Sequence, residues 1–277
     1  MILQQKGSKF SDKVTTGMYS GTGARAVDYL GLVEMQPVSG RFQPMGRVDA
    51  DYTSRWITPV DFDLPQLIDS FDKLRALTDP SSMYVQNAVN AANRKKDDII
   101  MSAIYAPAKS GIEGAETTAF PAAQVVAVNH AGANSGLTVE KLKRAKRLLA
   151  AAEVDLDTEE IFCAISAAQE ENLLGEAQVI NLDYNDRPVL MEGRIMRFLG
   201  INFIHSERIP VDASGYRRVP MWAKSGLHLG MWDDVRTSIS VRHDIQSEPW
   251  QAYVRMTLGA TRLMEKKVVE IKCLEVV

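Results

Sequence analysis

Cysteine is nearly absent from this chain. Its 277 residues hold two, Cys163 and Cys273, far apart in sequence. They match no zinc or redox spacing, and sequence alone does not decide whether they pair. Two isolated cysteines in a chain this long point to a reducing compartment. Histidine is also scarce, with four residues. No stretch approaches the roughly 18 apolar residues of a membrane span, so no membrane partner is expected. The opening "MILQQKGSKF" has no apolar run, so no secretory signal is expected either. Neither charge dominates: 32 Lys and Arg face 35 Asp and Glu, a net charge of −3. That argues against a nucleic-acid binder held by bulk charge, while leaving room for one basic face. No repeat of 20–50 residues is present. "GTGARA" (Gly21–Ala26) lacks the Gly-Lys-Ser/Thr ending of a phosphate loop and follows no clear strand, so it reads as a hinge. Nothing calls for a cofactor.

What is present is an ordinary apolar content of 45%, enough for one large domain or two modest ones. Residues 1–31 are rich in Gly, Ser, Thr and Lys and keep no period. They read as an extended arm that orders only against a partner. Residues 32–63 alternate turn residues with β-favouring stretches and read as a long irregular hairpin. Such a hairpin has too little core to stand alone and must lie on something, such as another subunit. Leu64, Leu67, Ile68, Phe71, Leu74 and Leu77 recur at helical spacing and predict a short helix. Asp79 and Pro80 then suit the start of a helix of about 25 residues, nearly ~40 Å long. The run Arg94–Asp98 breaks its apolar stripe and reads as a solvated face with local ion pairs.

Further on, "AAQVVAVNHA" looks like a strand that ends at His130, read as a surface histidine. Thr138 caps a second helix whose apolar face is Leu142, Ala145, Leu148 and Leu149. Lys141, Lys143, Arg144, Lys146 and Arg147 crowd the rest of it, the most basic segment of the chain. That stripe is either an ordinary solvated face or one turned toward polyanion. Then come "EIFCAIS" as a strand, "AAQEENLLGE" as a helix, and "FLGINFIHSERIP" with a turn at Gly200. "VPMWAKSGLHLGMW" reads as a core strand, and "TSISVRHD", "WQAYVRMTLGATRL" and "KKVVEIKCLEVV" as three closing strands. Gly259 inside the second of these predicts a bulge or kink. An enzymatic reading would be a metal-dependent hydrolase on His205, His228, Asp233, Asp234 and His243. His228 and His243 stand on different predicted strands, however, without the i, i+4 spacing of helical metal ligands.

The order of these elements resembles the major capsid protein of tailed bacteriophages, with its Hong-Kong-97-type α+β fold. The segments that carry the resemblance are the arm and long hairpin, the helix opened by "DPSSMY", and "GLTVEKLKRAKRLL". "IFCAISAAQEENLLGE", "GINFIHSERIP" and the finish "YVRMTLGATRLMEKKVVEIKCLE" complete it. None is a chemical motif; the signal is their order over roughly residues 20–277. The resemblance implies an N-terminal arm (1–31) and an extended loop with a short helix (32–78). It implies a peripheral domain (79–154) with a spine helix (79–105), an axial domain (155–232), and strands returning to the peripheral domain (233–277). It implies a structural role and no enzyme: hexamers and pentamers in an icosahedral shell around double-stranded DNA. Portal, scaffolding or decoration proteins would be further partners, and the virion the location, after assembly in the host cytoplasm. Gly40, Arg41, Phe42, Pro44, Gly46 and Arg47 would belong to the inter-subunit loop. Lys141, Lys143, Arg144, Lys146 and Arg147 would face DNA, binding phosphate without sequence preference. Asp233 and Asp234 would sit at a hinge between domains, pairing with arginines such as Arg236 and Arg242. An encapsulin-type compartment, which shares the fold but encloses protein cargo, is the alternative within the same fold. The hydrolase is the alternative outside it.

Overall fold

One bent antiparallel ribbon supplies the centre of both main sheets. β11 (Arg217–Ala223) pairs with β14 (Val268–Cys273), and β12 (Leu227–Val241) pairs with β13 (Trp250–Arg262). Short 3₁₀ turns at Lys224–Gly226 and Glu265–Lys267 join the two halves. The Leu263 N–H donates to the Gly226 carbonyl at 2.9 Å and closes the bend. The structure, a computed structural model, describes residues 4–37, 40–41, 46–69, 81–130, 132–176 and 195–275.

The remaining strands add to this ribbon. β1 (Thr15–Met18) pairs parallel with β12, and β4 (Val60–Ile68) pairs antiparallel with β13, giving a four-stranded sheet in the order β1-β12-β13-β4. β7 (Val125–Val126), β8 (Ile161–Ile165), β9 (Arg197–Phe198) and β10 (Ile201–His205) join β14 and β11 in a six-stranded sheet, β7-β14-β11-β8-β10-β9. β8 is buried at all five positions, as a strand covered on both faces should be. A third sheet, β2-β3-β5-β6, holds β2 (Ala24–Leu30), β3 (Tyr52–Ile57), β5 (Ala108–Ser110) and β6 (Glu116–Thr118).

Among the described residues, three α-helices cover these sheets. α1 (Ser81–Tyr105) is the long helix expected, and it packs on β12 and β13. α2 (Val139–Ala151) starts where the sequence places it, with Thr138 Oγ1 accepting from the Lys141 N–H. α3 (Ala167–Leu174) is held by a capping box between Ser166 and Gln169, which satisfies donors that the helix itself cannot. Two cores result. Leu142, Ala145, Leu149 and Leu173 of α2 and α3 pack on Ile161, Ile201, Val219 and Ile271. On the other face of the six-stranded sheet, Phe162 and Trp222 meet Ile100, Ile104, Leu229 and Val254. α2, read from sequence as part of segment 79–154, thus packs on the six-stranded sheet. β14, from segment 233–277, hydrogen-bonds within that sheet.

Several expectations need correction. Residues Leu64–Ile68 are the end of β4, not a helix, because β13 offers them a full register from Val60↔Leu258 to Ile68↔Trp250. Phe71, Leu74, Leu77, Asp79 and Pro80 lie outside the described residues. "AAQVVAVNHA" contributes only the two residues of β7, and "VPMWAKSGLHLGMW" is two strands parted by the turn at Lys224–Gly226. "GLHLGMW" and "TSISV" belong to one strand, β12. Gly259 marks no bulge; it pairs regularly with Gly230. A side chain there would meet the Thr58 carbonyl at 2.4 Å, so glycine permits a close approach between β13 and the chain leaving β3. The register breaks fall instead in β12, between Met231 and Arg236. At Leu199 and Gly200, φ of 53° and 79° make the tight β9–β10 turn that the sequence reading put at Gly200.

The arm departs most from expectation. Phe10 and Val14 are buried. Phe10 meets Trp222 edge-on at 6.0 Å, and Trp222 Nε1 donates to the Lys13 carbonyl at 3.0 Å. Aromatic burial and a strand edge order this stretch without a partner chain.

Candidate functional site: the arm junction and the exposed assembly surfaces

The polar run that breaks the stripe of α1 is a junction, not a solvated face. Asp97 is fully buried, and every donor it meets comes from the arm. The Gln5 side-chain amide donates to it, Ser8 Oγ donates at 2.6 Å, and the Lys9 and Phe10 N–H groups donate at 3.0 and 3.3 Å. A buried carboxylate is tolerable when its lone pairs are filled this way. Its neighbours reach elsewhere. Arg94 donates to Gln4 at 2.7 Å, Lys96 to Asp234 at 2.5 Å, and Arg208 forks onto Asp98 at 2.7 and 2.5 Å. Lys95 stands 4.9 Å over the Phe62 ring. Five consecutive side chains thereby tie the arm, β12, β4 and the chain beyond β10 to one turn and a half of helix.

A second pin holds β1. Thr15 Oγ1 donates to the Leu227 carbonyl at 2.7 Å, so its oxygen accepts from His228 Nδ1 at 2.8 Å. Nε2 must then accept from the Tyr19 hydroxyl at 2.8 Å. This fixes a neutral tautomer. Burial pushes the His228 pKa below the ordinary histidine value.

The root of the extended loop is locked by two arginines that share Glu265. Arg55 on β3 donates to the Leu263 carbonyl at 3.0 Å, to Thr118 Oγ1 at 2.8 Å and to Glu265 at 2.6 Å. Arg262, fully buried, donates to the carbonyls of Ile104, Ala106 and Thr118 at 2.6, 3.1 and 3.2 Å. Its Nε lies 3.7 Å from Glu265, and burial pushes its pKa down from the usual arginine value. Beyond the root, β2 and β3 carry the chain outward, and the Gly31 N–H donates to the Asp51 carbonyl at 2.6 Å. Gly40, Arg41, Gly46 and Arg47 are exposed, and Arg47 pairs with Asp49 at 2.8 Å. Phe42 and Pro44 lie outside the described residues.

The basic stripe of α2 divides. Lys141 turns inward: its ammonium donates to the carbonyls of Ser135, Gly136 and Lys272 at 2.7, 2.9 and 3.1 Å, and burial lowers its pKa. It is therefore removed from any solvent-facing charge. Lys146 donates to the Leu199 carbonyl at 2.8 Å and holds the β9–β10 turn. Lys143 and Arg147 are exposed and Arg144 is half-buried.

Asp233 and Asp234 stand in the irregular part of β12. Asp233 pairs with Arg236 at 2.6 Å and faces Arg255 at 3.5 Å. Asp234 takes Lys96 and the Val235 N–H at 2.7 Å; the Lys96 hydrogen bond holds its pKa below the usual carboxylate value. Arg242 pairs with Asp244, not with either of them. The histidines do not converge. His205 faces Glu207 at 3.1 Å and His243 faces Glu248 at 3.4 Å, while both ring nitrogens of His228 are used by hydroxyls. Among the described residues no group of three or more His, Cys, Asp or Glu could hold a metal ion, and no helix is long and apolar enough to cross a membrane. The sequence reading missed Asp97, Arg55 and Arg262. For Asp97 the signal was a charge at a position that the helical period assigns to the buried face; Arg55 and Arg262 stand on strands, where that period gives no signal.

The whole chain is similar to solved phage capsids. The capsid of cyanophage P-SCSP1u matches with a TM-score of 0.78 and 16% identity, over 100% of this chain and 91% of that one. The cyanophage Pam1 capsid matches at 0.74 and 12% identity, over 99% and 93%. The capsid of Ralstonia phage GP4 matches at 0.73 and 10% identity, over 100% and 93%. At such identities the likeness defines the fold, the Hong-Kong-97-type capsid fold. No curated protein sequence matches this chain. A profile of the phage capsid protein family matches residues 1–275, and the chain belongs to that family. It is a structural, non-enzymatic protein, a major capsid protein of the head shell.

Two outcomes follow from the arm junction. Asp97→Ala strands the donors of residues 5–10 and should cost about 2–3 kcal/mol, read as a lower denaturant midpoint with faster proteolysis before Tyr19. His228 is buried neutral, so its contribution is complete above about pH 6.5 and falls as pH drops through its depressed folded pKa. Amide protection of Thr16–Met18 should therefore weaken on acidification below about pH 6.5. His228→Gln should abolish that dependence; a profile unchanged by the substitution would refute the assignment.

Proposed function

We propose that copies of this chain form hexamers and pentamers of an icosahedral head that encloses double-stranded DNA. One observation carries this reading. The loop between β2 and β3 is anchored by Arg55 and Arg262 at its root, yet Leu32, Val33, Met35 and Val48 along it are exposed. An apolar segment exposed to solvent is costly for a monomer and useful when a neighbouring copy covers it. In this reading α1 with the four-stranded sheet is the peripheral unit. The six-stranded sheet with α2 and α3 is the axial unit, so the boundaries run differently from a cut at residue 155. The loop, with Gly40, Arg41, Gly46 and Arg47, lies over the next subunit. Portal, scaffolding or decoration proteins would join the shell, and assembly would take place in the host cytoplasm before packaging. Near-zero net charge lets many copies pack without strong mutual repulsion.

The full chain expressed alone should give shells, tubes or six- and five-membered rings by negative-stain microscopy and sedimentation. A stable monomer under every salt and scaffold condition would sink the reading.

Lys143, Arg144 and Arg147 are the members of the basic stripe we assign to packaged DNA. Their joint reversal to Glu should lower DNA retention while shells still form; unchanged particle yield and retention would remove DNA from their role. Asp234, clamped to Lys96 across α1 and β12, is assigned to the hinge. Asp234→Asn should alter assembly or expansion kinetics, and identical kinetics would return it to a plain surface ion pair.

A further inference from the structure

The face between α1 and the four-stranded sheet holds a groove of about 230 Å³. Ala88, Ala91 and Ala92 of α1 line one side of it, and Phe62, Leu64, Val254 and Met256 of the sheet line the other, together with the charged pair of positions Asp63 and Arg255. Its volume is below the roughly 300–1,000 Å³ of small-molecule pockets, so it suits one or two side chains better than a ligand. Lys95 also lines it, and among the described residues no carboxylate pairs with it. The extended loop presents the matching chemistry. Leu32 and Met35 are 98% and 102% exposed, and Glu34 between them is exposed and forms no ion pair among the described residues. Since both apolar side chains stand fully in solvent, this loop does not fill the groove of its own chain.

We infer that the groove of one copy receives the Leu32–Met35 segment of a second copy, with an apolar side chain against the alanines and Glu34 against Lys95. This rests on the shell reading above and adds to it the receiving surface, the seated side chains and a charge pair. The alanines of α1 have a purpose in it. A larger residue at Ala88 or Ala92 would fill the groove from within and leave the loop nowhere to dock. The ion pair sets register more than affinity.

Cysteine pairs test the contact in the full chain. Leu32→Cys/Ala91→Cys and Met35→Cys/Ala91→Cys are assembled beside wild type, oxidised, and run without reductant. The native Cys163 and Cys273 are buried and stay out of the reaction. At least one pair should give a disulfide ladder from dimer upward that Ala91→Cys alone does not give. Glu34→Lys and Lys95→Glu should each lower the yield of assembled material by about 2–5-fold, and their combination should restore it. Wild-type particles with no ladder from either pair, or a bridge confined to the monomer, overturn the groove while leaving the shell reading intact. Wild type that never assembles overturns the shell reading and the groove with it.

Discussion

A guanidinium without water is the constraint on which this architecture rests. Arg262 spends its donors on the last carbonyls of α1 and on β6, while its own backbone belongs to β13. Taking such a charge out of water is costly, and three carbonyl acceptors with the Glu265 carboxylate nearby make it tolerable. Those partners come together only when helix, ribbon and loop sheet are all in place. Arg55 brings a second positive charge to the same carboxylate, Glu265, and extends the lock to β3. The loop sheet has little core of its own, so this cluster determines the direction in which the loop leaves the body.

The charged turn of α1 does for the arm what Arg262 does for the loop. A helix buried on two sides normally hides apolar residues there. This one hides Asp97 and Lys96 and uses them to fix two strangers in sequence, the arm and β12. Polar contacts are directional where apolar ones are not. An arm fastened through a carboxylate has one register; an arm fastened by Phe10 alone could slide.

Periodicity revealed the elements that carry a one-sided apolar pattern. α1, α2, β8, β13 and β14 were legible because each buries a stripe or a whole strand against a continuous core. The errors share a different cause. Leu64, Leu67 and Ile68 satisfy the helical period, yet the free edge of β13 claims them, and a nine-residue ladder outweighs local preference. Lys141 looks like its basic neighbours in sequence and differs only in where its stem points, a matter of which helix face meets β14. Asp97 reads as a solvent charge because nothing local announces that a segment nearly ninety residues upstream will cover it. Of the candidate surfaces, the exposed loop was legible in its lack of a core. Asp233 and Asp234 were legible as a carboxylate pair, but their partners were only half right: Arg236 was foreseen and Lys96 was not.

The bent ribbon also fixes the order in which the subunit can be finished. β1, β4, β7 and β8 each find their partner in β12, β13, β14 or β11, and α1 packs on the same strands. Every earlier element leaves the ribosome before the strand that will hold it. Contacts of such long sequence separation fold slowly; the four-stranded sheet cannot be completed until synthesis has passed Arg262, nor the six-stranded sheet until it has passed β14. A chain still attached to the ribosome has a loop with no locked root and an arm with no β12 beside it. The loop surface we propose for contact between copies is thus withheld until β12 and β13 have formed.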